Sequence, residues 1–266
     1  MLRTLVIGIV VVAAMKLFVS WLEPRAVFFP TRGEQETPAD LGIRYQSLRL
    51  RAADGVEIAA WQLEPESAKA DIVYFHGNGG NLSLWLPVFA TLHRFGYRVL
   101  AIDYRGYGTS DGGPSERGLY ADAEAVARHA LANRQAARPL IYWGRSLGGV
   151  IAAAAARAAP PHGLILESTF AEKASVLRGN PIMRVLNAFS SYRLDTVDHL
   201  RGFTRPILVV HAERDSVIPY RLGRELFERL EAPKTFVTLK DGDHNDLYDA
   251  ANEAYWRPIH AFIEAL

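Results

Sequence analysis

The sequence predicts an α/β fold, with a mostly parallel sheet that carries helices on both faces. Short β-rich runs alternate with helical stretches along most of the 266 residues, which is typical of strand–helix–strand units. An antiparallel hairpin precedes this alternation, because two alternating strands flank the turn Ala53-Asp-Gly55. An apolar N-terminal segment precedes both. The chain is therefore expected to hold one α/β domain behind an N-terminal helix.

The N-terminal segment has the length of a membrane span. Leu5–Leu22 is apolar except for Gly8, Lys16 and Ser20, and it approaches the ~30 Å thickness of a bilayer core. No small-x-small cleavage site is evident near its end. We expect an uncleaved single-pass anchor over residues 1–23.

The residues that flank this segment predict where the helix ends, but they do not decide its orientation in the membrane. Trp21 is expected at the interface, and Glu23-Pro24 is expected to end the helix. Arg3 lies on one side, and Arg25 and Arg32 lie on the other, so the positive charges nearly balance and the orientation stays open. A removed signal peptide and an amphipathic surface helix are the alternatives.

The rest of the chain divides into a Pro- and charge-rich connector over residues 24–44 and an α/β domain over residues 45–266. Strands are predicted at Tyr45–Arg51, Val56–Leu63, Asp71–Phe75, Arg98–Ile102, Pro139–Trp143, Gly163–Leu166, Pro206–Val210 and Lys234–Leu239. Helices are predicted at Leu82–Arg94, Ser115–Asn133, Leu147–Ala159, Tyr220–Leu230 and Leu247–Leu266. The stretch at about 169–205 is longer than a normal crossover and predicts a short helical cap insertion.

Composition excludes several classes of function. The net charge is +1 and arises from interspersed signs, whereas phosphate binding needs clustered Lys and Arg, so nucleic acid is not an expected partner. The chain has no cysteine, hence no disulfide and no thiolate metal site. It also lacks the H-E-x-x-H and G-x-x-x-x-G-K-[ST] motifs, and we expect no metal or organic cofactor.

The most informative motif is Gly144-Arg-Ser-Leu-Gly148, which lies between a predicted strand and a predicted helix. A serine between glycines on such a turn is the nucleophile elbow, and the N-terminus of the new helix favours negative charge there. Gly108-Thr-Ser-Asp-Gly112 has the same spacing. However, no helix follows it directly, and it reads as a loop. Ser146 is therefore the predicted nucleophile.

A serine needs a base, and a carboxylate must fix the tautomer of that base. Of the eight histidines, His244 lies in the polar loop between the last strand and the last helix, at the sheet edge expected for the elbow. Asp215 follows an earlier strand and is the preferred acid, with Glu213 as the competitor. Asp241, Asp243 and Asp246 are too close in sequence to His244 to orient its ring easily.

A second glycine-rich turn, His76-Gly-Asn-Gly-Gly-Asn81, follows the strand that ends at Phe75. Glycines let the backbone approach a substrate and direct an N–H towards it. We assign an oxyanion hole to the backbone N–H groups of Asn78 and Leu147. An ordinary strand-to-helix turn is the alternative.

Together these motifs resemble the α/β-hydrolase family. The resemblance covers nearly everything after the connector, and it is closest to a membrane-anchored branch with H-G-N-x-x-N at His76–Asn81 and D-Y-R-G-Y-G-x-S at Asp103–Ser110. It implies a serine hydrolase with Ser146 as nucleophile, His244 as base and Asp215 as acid. It also implies that Asp103–Ser110 braces the active-site loops. Protein depalmitoylases and other acyl esterases belong to this branch, although the cysteine cluster of some depalmitoylases is absent here.

The expected activity is hydrolysis of carboxylic esters or thioesters at a membrane. Apolar side chains recur through the cap insertion, which predicts either core packing or a lid over an acyl pocket for a lipid-like substrate. A serine peptidase or amidase on the same scaffold is one alternative, since the fold hosts many functions. A non-catalytic, membrane-tethered interaction protein is the other.

Overall fold

The computed structural model describes residues 2–249 and 252–266. Within them, eight strands form one sheet: β1 Tyr45–Arg51, β2 Glu57–Leu63, β3 Ala70–Phe75, β4 Tyr97–Ile102, β5 Leu140–Arg145, β6 Gly163–Glu167, β7 Ile207–Ala212 and β8 Lys234–Leu239. Their order across the sheet is β8-β7-β6-β5-β3-β4-β2-β1. β2 pairs antiparallel with both β1 and β4, and the other neighbours are parallel. The predicted fold class is confirmed.

The chain also forms helices, several of which pack on the two faces of this sheet. They are α1 Leu2–Val27, α2 Leu82–Arg94, α3 Glu116–Ala132, α4 Leu147–Ala158, α5 Lys173–Leu177, α6 Pro181–Asn187, α7 Thr196–His199, α8 Tyr220–Arg229 and α9 Glu253–Glu264. Alternate residues of β3 enter two separate cores: Val73 belongs to the core that also contains residues of α3, α4 and α8, and Tyr74 belongs to the core that contains residues of α2 and α9. This alternation is the period-two pattern of a strand buried on both sides.

The last helix is shorter than the sequence predicts. The expected span was Leu247–Leu266, but α9 begins at Glu253, where the Asn252 side chain accepts a hydrogen bond from the Tyr255 N–H at 3.3 Å. Leu247 is fully buried in the preceding loop, so its apolar character reflects core packing. Part of the predicted span, residues 250–251, lies outside the described residues.

α1 is longer than the sequence predicts. The expectation that Glu23-Pro24 ends the helix was wrong, because α1 continues through Pro24 to Val27. Two contacts hold this last turn: the Phe28 N–H donates to the Pro24 carbonyl at 3.1 Å, and Glu23 is buried against the cap insertion. α1 is long and apolar enough to cross a membrane, and only 6% of its apolar window is buried within the protein.

The connector and the insertion both lie beside the carboxyl ends of the central strands. Phe29–Pro30 pairs in parallel with Gly79–Gly80, directly after β3. The insertion between β6 and β7 contains α5, α6 and α7. α1, α5 and α6 line a cavity beside the sheet edge on which the candidate site lies.

Candidate active site

Ser146 lies on a strained turn between β5 and α4. Its φ is 53° and its ψ is −122°, a left-handed conformation that a residue with a side chain rarely adopts. Two hydrogen bonds connect the turn to β6 and to the residues after it. The Ser146 N–H donates to the Glu167 carbonyl at 2.9 Å, and the Thr169 hydroxyl donates to the Ser146 carbonyl at 2.7 Å.

The glycines around Ser146 allow very close backbone packing. A Cβ on Gly148 would lie 1.9 Å from the carbonyl oxygen of Phe75, and a Cβ on Gly144 would lie 2.3 Å from that of Gly148. A Cβ on Gly77 would lie 3.6 Å from the Cβ of Ser146. The elbow therefore rests directly against the turn that follows β3, as a small-residue motif allows.

Asp215 and His244 form a hydrogen-bonded pair although 29 residues separate them in sequence. Asp215 Oδ2 lies 2.8 Å from His244 Nδ1, and both side chains are buried. Asp215 Oδ1 accepts hydrogen bonds from the backbone N–H groups of Val217 and Ile218 at 3.0 and 2.7 Å. The carboxylate is therefore fixed, and so is the ring nitrogen that faces it.

A second histidine contacts the same carboxylate. His211 Nε2 lies 3.4 Å from Asp215 Oδ2 and 2.8 Å from the Ile218 carbonyl. Burial alone would raise the pKa of Asp215. Hydrogen bonds from His211, His244 and the Ile218 N–H outweigh it and hold the pKa well below its ordinary value. Asp215 is therefore an anion at neutral pH.

The other carboxylates considered for the acid beside His244 do not contact its ring nitrogen Nδ1. Glu213 is exposed, and His244 contacts Asp215 instead. Asp243 accepts hydrogen bonds from the Ser216 N–H and hydroxyl at 2.7 and 2.8 Å, and so ties the His244 loop to the loop that carries Asp215.

Asn78 is fixed by three neighbours. Its amide nitrogen donates to the Val27 carbonyl at the end of α1, and its amide oxygen accepts the Phe29 N–H at 3.3 Å. The Tyr107 hydroxyl lies 2.9 Å from the Asn78 carbonyl oxygen and 3.0 Å from its amide oxygen. The Tyr104 hydroxyl donates to the nearby His76 carbonyl at 2.8 Å. The turn after β3 is therefore held from both the connector and the loop after β4.

Ser146, Leu147 and Asn78 line one cavity of about 480 Å³, a typical size for a small-molecule site. Leu147 is the first residue of α4, where helix geometry provides no internal acceptor for its N–H. The other walls are largely apolar and come from α1, from the cap insertion and from the loop after β7. The Ser146 hydroxyl thus lies at a helix N-terminus and lines an apolar cavity. Such a hydroxyl and a hydrogen-bonded carboxylate–imidazole pair are the groups that acyl transfer requires.

Ser110, in the second G-x-S-x-G match, lies in a different environment. It is 1% exposed, its hydroxyl donates to the Asp103 carbonyl at 2.7 Å, and it accepts the Ala59 N–H at 2.8 Å. The hydroxyl both donates and accepts a hydrogen bond within the protein, so its role is structural.

Sequence reasoning did not single out Arg145 or recognise the contact of His211 with Asp215. Arg145 occupies the variable position before Ser146 and is fully buried, with its guanidinium 5.0 Å from the ring centres of Trp85 and Tyr248. A charged residue at the end of a buried strand was the available signal for Arg145. For His211, only the i, i+4 spacing to Asp215 gave a clue. Among residues 2–249 and 252–266, no cluster of three His, Asp or Glu side chains could hold a metal ion.

The family model described as "Serine aminopeptidase, S33" matches residues 66–196, and one described as "TAP-like protein" matches residues 191–265. The chain is 30% identical to the uncharacterized protein YfhR of Escherichia coli O157:H7, over 82% of this chain and 80% of that protein. It is also 30% identical to the uncharacterized membrane protein YNL320W of Saccharomyces cerevisiae, over 87% of this chain and 84% of that protein. This chain belongs to the α/β-hydrolase family.

Other hydrolases share its architecture. The chain is 29% identical to the lysophosphatidylserine lipase ABHD12 of Danio rerio, over 72% of this chain and 60% of that protein. The esterase Pf2001 of Pyrococcus furiosus superposes with a TM-score of 0.71 at 18% identity, over 90% of this chain and 97% of that one. The likeness to Pf2001 establishes the shared fold.

Proposed function

We propose that this protein is a membrane-anchored serine hydrolase that cleaves carboxylic esters or thioesters with apolar acyl chains. The observation that carries the proposal is the position of Ser146, which lies on a strained strand-to-helix turn and lines an apolar cavity. The hydrogen-bonded pair of Asp215 and His244 supports it, since a serine hydroxyl needs an oriented base to act as a nucleophile.

The reaction would proceed in two halves. His244 accepts the proton of the Ser146 hydroxyl as the serine oxygen attacks the acyl carbonyl carbon. The resulting imidazolium is stabilised by Asp215, and it gives its proton to the departing alkoxide or thiolate. Water, activated by the same imidazole, then releases the carboxylic acid and restores Ser146.

The tetrahedral intermediate carries its negative charge on the former carbonyl oxygen. We assign its stabilisation to the backbone N–H groups of Asn78 and Leu147, with the N-terminus of α4 adding its dipole. Each such donor is worth about 10²–10³-fold in rate. The hydrogen bonds from Tyr107 to Asn78 support the assignment because they fix this backbone before substrate binds.

An ester or thioester fits the cavity better than a peptide. The carboxylate of Glu23 in its wall accepts hydrogen bonds from Lys173 and Ser191, so it is not free to hold a peptide amino group. Most of the remaining lining is apolar, as an acyl chain requires. The relative ABHD12 is a lysophosphatidylserine lipase, which favours the same class of substrate. Because one matching family model is described as an aminopeptidase, amide cleavage is the second candidate.

Membrane anchoring is proposed from α1. The helix contains an 18-residue apolar window, only 6% of which is buried within the protein. A bilayer would cover its exposed Leu, Ile and Val side chains.

Labelling with a fluorophosphonate probe tests the proposal. The protein in detergent is compared with Ser146→Ala, with His244→Ala and, as a matched serine control, with Ser110→Ala. Labelling should disappear with Ser146→Ala, fall strongly with His244→Ala and persist with Ser110→Ala. A folded wild-type protein that takes no label would contradict the proposal and favour a non-catalytic interaction protein. Ester, thioester and amide substrates of the same acyl chain then separate the candidate reactions.

A further inference from the structure

We infer that the apolar helix α1 is a wall of the acyl-binding cavity and determines acyl-chain selectivity, besides acting as an anchor. The inference rests on the proposed function and deepens it, since it assigns acyl recognition to a segment outside the α/β domain. One face of α1 lines the cavity that contains Ser146: Phe18, Val19, Leu22, Glu23, Ala26 and Val27.

These positions form one helical face. They recur at i, i+1, i+4, i+5, i+8 and i+9, which places them together along a helix of 3.6 residues per turn. Leu17 and Trp21 lie on the opposite side of the helix and are 73% and 60% exposed, compared with 56% for Phe18 and 41% for Leu22 on the cavity face. The same turns of α1 therefore present one face to the cavity and another to the surroundings.

Glu23 fixes this face of α1 to the cap insertion. Its carboxylate accepts hydrogen bonds from the Lys173 ammonium at 3.1 Å, from the Ser191 hydroxyl at 2.8 Å and from the Ser191 N–H at 3.1 Å. The Ser190 hydroxyl also donates to it. The side chain of Glu23 is 5% exposed and that of Lys173 is 11% exposed.

This cluster explains how charges can lie in an apolar wall. A buried charge is costly unless it is paired and hydrogen-bonded, and the carboxylate of Glu23 has both kinds of partner. A helix that acted only as a tether would need no such attachment. The cluster instead holds α1 in a fixed position relative to Ser146.

Another part of the wall comes from α6. Met183 and Leu186 line the cavity, whereas Ile182 and Val185 on the same short helix are 70% and 62% exposed. An acyl chain in this cavity, with its carbonyl at Ser146, would thus contact apolar side chains of both α1 and α6. The cavity lies beside the helix that we place in the bilayer, so the ligand expected here is the acyl chain of a membrane lipid or lipidated molecule.

Chain-length dependence follows from this arrangement. Each methylene buried in the cavity contributes about 0.8 kcal/mol, or about a fourfold gain in kcat/KM. The ratio of kcat/KM for p-nitrophenyl laurate to that for p-nitrophenyl acetate therefore measures acyl binding separately from the chemical step.

The experiment measures this ratio for the full chain in phosphatidylcholine nanodiscs. Two substitutions on α1 are expected to change acyl-chain preference in opposite directions. Val19→Trp fills the cavity from α1 and should lower the laurate-to-acetate ratio at least about 10-fold, equivalent to excluding two or more methylenes. Leu22→Ala enlarges the cavity and should shift the preferred acyl chain to a longer one. Leu17→Trp and Leu17→Ala, on the exposed face, are the matched controls and should keep the wild-type ratio.

The outcomes separate this inference from the proposed function. A wild-type protein that hydrolyses neither ester and takes no fluorophosphonate label overturns both. A labelled, active wild type whose chain-length profile is the same in Val19→Trp and Leu22→Ala overturns only the role of α1. An equal change in the Leu17 controls also overturns it, because the effect would then belong to the whole helix. If Val19→Trp does not fold, the smaller substitution Leu22→Ala decides.

Discussion

Nη2 of Arg145 lies 3.4 Å from the side-chain oxygen of Asn245, and this contact joins the residue before Ser146 to the residue after His244. Arg145 is fully buried, and its guanidinium also lies over the ring of Tyr248 in the same loop. The two segments that carry the proposed nucleophile and base are therefore connected through one cation.

Substitution of Arg145 should affect stability and catalysis separately. Nε of Arg145 lies 3.7 Å from Glu167 Oε1, and both side chains are completely buried. Arg145→Met leaves that carboxylate without its cation and should lower the free energy of unfolding by about 3 kcal/mol. The double variant Arg145→Met/Glu167→Gln should regain most of this stability but keep kcat about 10- to 100-fold low, because the His244 loop has lost its link.

Denaturant unfolding in detergent and hydrolysis of p-nitrophenyl butyrate measure the two effects. Full recovery of kcat in the double variant would show that Arg145 acts only as the counter-ion of Glu167. In that case its contact with Asn245 has no positioning role.

Tyr107→Phe tests the support of the proposed oxyanion hole. The variant removes the hydroxyl that bonds the carbonyl and side chain of Asn78, so we expect a stability loss of only about 1 kcal/mol. We expect kcat to fall about 10-fold with little change in KM, less than the loss of a whole oxyanion donor. Tyr142→Phe is the matched control, since its buried hydroxyl bonds the Ala127 carbonyl at 3.4 Å away from the elbow. Equal kcat in both variants would argue against the assignment to Asn78.

The sheet could be predicted from sequence because its signals are local. β1 and β8 have the predicted bounds, Tyr45–Arg51 and Lys234–Leu239, and α2 has the predicted bounds Leu82–Arg94. Alternating or continuously apolar runs, ended by turn residues, specify such elements within a window of about ten residues. The elbow was also predictable, since its glycines and flanking strand and helix are contiguous.

Contacts between distant segments could not be predicted in this way. The contact of His211 with Asp215 depends on how the turn after β7 folds back, and that of Arg145 with Asn245 spans 100 residues. Pro24 favoured a helix end, yet burial of Glu23 against Lys173 and Ser191 outweighs this local preference. Tertiary contacts commonly override local propensity in this manner.

Gly148→Ala should abolish the elbow. The added Cβ would lie 1.9 Å from the Phe75 carbonyl oxygen, which belongs to the rigid centre of the sheet and cannot move aside. We expect a loss of at least about 3 kcal/mol of stability, the upper range for overpacking, together with loss of fluorophosphonate labelling. Gly179→Ala is the control, because its Cβ would meet nothing within 4 Å, and it should label like wild type. Normal labelling of Gly148→Ala would contradict this packing.

Asp215→Asn should show a characteristic dependence on pH. The pKa of Asp215 is lower in the folded protein than the ordinary 3.8 of an aspartate, because hydrogen bonds from His211, His244 and Ile218 outweigh the effect of burial. A carboxyl group of this kind stabilises the fold fully above its unfolded pKa, and the contribution is lost as the pH falls through the folded pKa. The unfolding free energy of the variant should therefore fall furthest below that of wild type at about pH 5–7. The difference between the two free energies should become smaller below about pH 4.

Unfolding free energies of wild type and Asp215→Asn, measured from about pH 7 down to about pH 3, should approach each other by about 1 kcal/mol, because over this range the unfolded carboxyl group becomes largely protonated while the folded one stays ionised. At neutral pH the variant should also lose about 10⁴-fold in kcat, because asparagine stabilises neither the correct tautomer of His244 nor its imidazolium. Glu213→Gln, which alters an exposed carboxylate in the same loop, is the control and should change neither quantity. A stability difference between wild type and Asp215→Asn that stays constant with pH would mean that Asp215 has an ordinary pKa, and the hydrogen bonds from His211 and His244 would then have no energetic preference for the carboxylate.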